Sequence, residues 1–133
     1  MKTLPKIFLL MSISLTFYSC PTDDPLGTIY IGSFDNIWQV EGNDSYFFGI
    51  FRNGPANTTS GVLRGEEDHP DKGSTAMING TFDGLKLEFT IPRNDGTETV
   101  TFEGTMVPKS ETDHTIIRIN LKSSDGENLT LIP

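Results

Sequence analysis

The sequence predicts an all-β domain, a small antiparallel meander closed into a barrel. Three observations carry this. Apolar residues alternate with period two through almost all of the region after residue 25, Gly-Asp-Asn clusters interrupt the alternation at short intervals, and no stretch there sustains a 3.6-residue period. The segments number roughly eight, the count at which closing the sheet removes exposed edges and side chains fill the interior. A β-sandwich is the alternative for the same pattern.

In chain order, LGTIYIG (26–32) and NIWQVEG (36–42) are the first strand candidates. SYFFGIFRN (45–53) follows, with Tyr46, Phe48 and Ile50 on one face and Phe47 and Phe51 on the other. Apolar residues on both faces mark a strand covered on both sides or one forming an aromatic mouth. SGVLRG (60–65) comes next. MINGTFDGLKLEFTI (77–91) reads as a hairpin: Ile78, Gly80 and Phe82 face one way, Leu85, Leu87, Phe89 and Ile91 line the return strand, and Asp83-Gly84 is expected as a type I′ turn. Pro92 to Gly96 is expected to turn the chain into TETVTFEGTM (97–106), where Val100, Phe102, Gly104 and Met106 share a face. HTIIRINL (114–121) is expected to point Ile117, Ile119 and Leu121 inward; SSDGEN turns, and LTLI (129–132) closes the meander. Gly49, Gly80 and Gly104 lie inside strand patterns, where glycine permits the bends of a tightly curved sheet.

The N-terminal region has a different character. Lys2 and Lys6 precede an apolar run from Ile7 to Tyr18, then Ser19 and Cys20. A basic start, a run of roughly a dozen apolar residues and a small residue make a signal peptide, too short for the roughly 20 residues of a membrane-spanning helix. Residues 1–19 are therefore the expected signal, 20–25 an acidic tether and 26–133 one domain. Cys20 is the chain's only cysteine, so it has no internal disulfide partner. Phe17, Tyr18, Ser19 and Cys20 resemble the lipobox of bacterial lipoproteins, in the relaxed form of Bacteroidota-type Gram-negative bacteria. The resemblance implies a diacylglyceryl group on the Cys20 sulfur, cleavage before it and acylation of the new N-terminus, hence anchoring in the outer membrane. Asp23 and Asp24 resemble the paired acids of a surface-export signal, which implies display at the cell surface.

From Phe34 to Ile132 the early tryptophan and the glycine-rich "x-F-x-G-x" strands resemble small lipocalin-like, calycin-like and avidin-like barrels. The implied function is a non-enzymatic binding module for a small apolar or glycan ligand, with an accessory or structural subunit of an outer-membrane protein complex as the alternative.

Charge narrows the partners. The chain carries 10 Lys+Arg and 18 Asp+Glu; without Lys2 and Lys6 the balance is −10, a field that repels phosphate backbones and counts against nucleic acid. Trp38, Tyr46, Phe48 and Phe51 are the candidate ligand wall, although the same rings can fill a barrel core. Glu66, Glu67, Asp68 and Asp71 in RGEEDHPDKG (64–73) form the densest group of oxygen ligands, but their spacing matches no defined calcium loop; the segment reads as a solvated acidic loop and no metal is assigned. His69 and His114 adjoin Asp68 and Asp113 without a nucleophile motif, so no catalytic residue and no cofactor are expected.

Overall fold

The computed structural model describes residues 33–72 and 75–133. The signal, Cys20, Asp23, Asp24 and the candidate strand LGTIYIG lie outside the described residues. The strands are β1 (Asn36–Val40), β2 (Asn43–Asn53), β3 (Ser60–Asp68), β4 (Ala76–Asp83), β5 (Lys86–Arg93), β6 (Glu98–Pro108), β7 (Ile116–Ser123) and β8 (Asn128–Ile132). Each pairs antiparallel with the next, and β8 pairs with β1, closing a barrel in place of a two-sheet sandwich. Closure rests on a short seam, Gln39 opposite Ile132 and Val40 opposite Leu131. The connections β1–β2, β3–β4, β5–β6 and β7–β8 gather at one end of the barrel, and the other three at the opposite end.

Period-two alternation sends one residue set inward. Phe48, Phe89 and Phe102 meet there, with ring centroids 5.2 to 6.1 Å apart. Around them Trp38, Ile50, Leu63, Ile78, Ile119 and Leu131 are fully buried. Phe34, just ahead of β1, is buried as a plug, and its carbonyl accepts a 2.9 Å hydrogen bond from Trp38 Nε1.

Glycine allows the wall to curve. A Cβ on Gly65 would collide with the Gly49 carbonyl, and one on Gly80 with the Glu88 carbonyl, so strands approach more closely at these points than any side chain permits. Gly80 and Gly104 thus have the expected role, whereas Gly49 faces outward beneath the Phe51 ring and Gly65 takes the inner position.

Four local expectations are corrected. Asp83 pairs with Lys86, so the β4–β5 turn is Gly84-Leu85 with positive φ at Gly84 alone; that fits type II′, which wants glycine first, and not type I′ at Asp83-Gly84. Pro92 and Arg93 belong to β5, opposite Thr99 and Glu98, because Pro92 is exposed and its missing donor leaves the ladder tolerable; the turn is Asn94–Gly96, with three consecutive positive φ values. Ile117 points outward and Ile116 inward, because a register shift between Val107 and Pro108 pairs Arg118 with Val107 but Ile116 with Pro108. Finally, Glu66, Glu67 and Asp68 are not loop residues: β3 runs through Asp68, since its pairing with Phe47, Phe48 and Gly49 holds the acidic segment extended.

Candidate functional site

The four candidate wall residues separate. Trp38, Tyr46 and Phe48 project inward and are buried in the core, while Phe51, of opposite parity on β2, stands on the outer surface. The Tyr46 ring packs against Phe48 at 4.9 Å and against His69 at 4.4 Å, near the barrel end that carries the β3–β4 connection.

Beside Tyr46 lies an ion pair that the sequence reading did not anticipate. Glu67 continues the inward parity of Leu63 and Gly65 and is 0% exposed. Arg93 continues the parity of Leu87, Phe89 and Ile91 on β5. The Arg93 guanidinium donates to both Glu67 oxygens, at 2.7 and 2.8 Å, in a bidentate fork spanning β3 to β5 inside the barrel. Burial alone would lower Arg93, but the hydrogen bonds and charge of Glu67 outweigh it and its pKa rises. The Tyr46 hydroxyl is buried without a hydrogen bond, and burial, then the Glu67 charge, push its pKa above the ordinary 10. Extending the alternation of each strand by one inward position would have revealed both charges; the acidic composition of 66–71 obscured it.

The candidate metal ligands do not converge. Glu67 points inward to Arg93, Glu66 and Asp68 point outward from β3, and Asp71 lies in the β3–β4 connection, where its backbone N–H donates to His69 Nδ1 at 3.0 Å. Among the described residues no group of three His, Cys, Asp or Glu is placed to hold an ion. His69 and His114 sit at opposite ends of the barrel.

The outer surface is asymmetric. Among the described residues, four of the five exposed large hydrophobics stand on β1–β4: Ile37 at 61%, Phe51 at 44%, Val62 at 45% and Met77 at 53%. They share one face because register places Ile37, Gly49, Glu66 and Met77 in one row and Phe51 with Arg64 in the next. Ile37, Phe51 and Met77, together with Phe47, line an open groove of about 770 Å³, and Val62 stands outside it on the same face. No ion pair among the described residues engages Arg64, Glu66 or Asp68 at this groove. Across the barrel, a second depression of about 820 Å³ over β4–β8 has a mixed wall, with Thr81, Glu88, Glu103, Asn120 and Lys122 beside Leu87, Leu121 and Leu129. There Glu103 stands between Glu88 on β5 and Lys122 on β7, opposite a like charge on one side and an unlike charge on the other.

Comparison with protein-family models, curated proteins and solved structures finds no match to this chain.

Proposed function

We propose that this chain is a lipoprotein of a Gram-negative envelope, held on the outer membrane by lipid on Cys20, and that its barrel is a non-enzymatic accessory subunit docking on a membrane-protein assembly through the outer face of β1–β4. Asp23 and Asp24 would direct it to the surface. The observation that carries the docking is the clustering of Ile37, Phe51, Val62 and Met77 on one contiguous face. Apolar surface gathered in one patch marks a contact site, whereas scattered apolar residues do not. Covering these partly exposed side chains contributes about 1 kcal/mol apiece.

Photo-crosslinking residues installed at Phe51 or Met77 in intact cells are expected to capture a larger membrane protein, and the same residues at Thr105 or Lys122 are not. Equal capture from both faces, or none from the first, overturns the docking. Replacing Cys20 by Ala tests the anchor separately: the protein is expected to leave the membrane fraction, and its retention there would refute lipid attachment.

The groove's volume favours a second reading, since about 770 Å³ falls within the range of small-molecule sites. Phe47 and Phe51 would then stack on an apolar ligand or the apolar face of a sugar. Trp38, Tyr46 and Phe48 would serve by fixing the wall from inside. Under this reading Phe51→Ala abolishes retention of a hydrophobic dye in the groove and leaves the melting temperature unchanged; dye retention by that variant would count against it.

A further inference from the structure

We propose that the β1–β4 face docks on a second copy of this chain. The inference rests on the reading of that face as a protein-docking surface. Identical acidic chains repel one another, so self-docking requires a patch in which a cation of one copy can meet a carboxylate of the other. β3 provides one. Its outward row runs Val62, Arg64, Glu66, Asp68, placing a cation two residues from a carboxylate, and Arg64 and Glu66 enter no ion pair among the described residues.

A closed dimer has a twofold axis and uses the same patch on both partners. An axis lying in the plane of the face, across the strands and above Gly65, sets β3 antiparallel on β3 of the other copy. Arg64 of each copy then meets Glu66 of the other, so the pair forms twice. Register carries the apolar residues with it: Phe51, opposite Arg64, comes over the row of Gly49 and Ile37 of the other copy, against the Phe51 ring that covers Gly49 there. The result is a contact of apolar residues and two crossed ion pairs, with Asp68 of each copy over Val62 of the other at its ends. The opposite face also carries both signs of charge, Lys86 and Glu88 on β5 and Glu103 opposite Lys122, but Ile117 is its one exposed large hydrophobic among the described residues, so it lacks the apolar part of the contact.

The test is sedimentation velocity over a concentration series on the mature chain, comparing wild type, Arg64→Glu, Glu66→Arg and the double swap. Wild type is expected to dimerise. Each single swap replaces two attractions by two repulsions and is expected to weaken the dimer about tenfold or more. The double swap restores the pairs with their signs exchanged and is expected to return within about threefold of wild type. Thermal melts accompany each variant, and Arg64→Gln stands in should Arg64→Glu melt early. A chain monomeric at every concentration, a dimer indifferent to the single swaps, or a double swap without rescue overturns the proposal. A monomer that still crosslinks from positions 51 and 77 to a larger membrane protein rejects the second copy and keeps the docking reading. A swap-sensitive dimer that captures nothing larger keeps this inference and rejects the membrane-protein partner.

Discussion

Glu67 and Arg93 show how unequal the two ways of removing a buried charge are. Together they form a satisfied bidentate pair, but either one alone is a desolvated charge inside an aromatic core. Glu67→Ala is therefore expected to cost about 3–5 kcal/mol in urea unfolding, while Glu67→Leu combined with Arg93→Met is expected to be near neutral or stabilising. If the single variant proves as mild as the double one, the pair does not hold the barrel end together. Tyr46 gives a pH-dependent test of the same cluster. Its folded pKa is raised, so above pH 10 the unfolded chain loses this proton while the folded chain keeps it, and stability falls as pH rises through 10. Tyr46→Phe removes this contribution, so the alkaline decline measured by denaturant unfolding should become shallower. Glycine shows a further contrast at this scale. Gly65→Ala sets a Cβ against the Gly49 backbone carbonyl, which cannot move without breaking the ladder, whereas Gly104→Ala meets Leu87 Cδ1 and Leu121 Cδ2 at 2.6 and 2.7 Å, side chains that can rotate. Gly104→Ala should cost about 1–3 kcal/mol, and Gly65→Ala should prevent folding; equal melting temperatures would contradict the ordering.

At the scale of elements, the strands were legible wherever alternation and turn chemistry agreed. The return strand Leu87-Phe89-Ile91 and the strand Val100-Phe102-Gly104-Met106 stand on the predicted faces because a half-buried sheet enforces period two. The errors have separate physical causes. At Ile117 a bulge inserts one extra residue into β7 and so shifts the inward set, and composition gives no notice of it. At Gly84 either flanking residue could complete a two-residue turn, and the choice between Asp83 and Leu85 rests on pairing with β5. At Glu67 the period was intact, but a run of acids with His and Pro overrode it. The candidate site shared that fate: three of its four aromatics belong to the core, and the outer face became visible only when β1–β4 were laid side by side, because Ile37, Phe51, Val62 and Met77 lie on four different strands. The β4–β5 turn offers a direct check. Gly84→Ala forces an L-residue to φ near 58° and is expected to cost about 1–2 kcal/mol; a variant as stable as wild type would mean that the turn adopts another form.

For the molecule as a whole, the meander joins neighbours in sequence everywhere except where β8 meets β1. Seven interfaces form between consecutive strands, and the eighth must join the two ends of the sheet across two register pairs. Loop-closure entropy falls on that last step, so the seam is the expected site of local opening. Hydrogen exchange should show the β1–β8 amides, with Glu41 N–H to the Thr130 carbonyl among them, exchanging ahead of those between β5 and β6; uniform protection would exclude a weak seam. The plug just ahead of β1 gives this weakness a mechanical aspect. Tension applied to the chain upstream of Ser33 first reaches the Ser33–Thr115 bridge, the buried Phe34 ring and the Trp38 bond to its carbonyl. These contacts act as a strain relief, like the knot that keeps a pull on a cable from reaching its solder joints. A barrel held at that end can bear a steady load while its thinnest ladder stays closed.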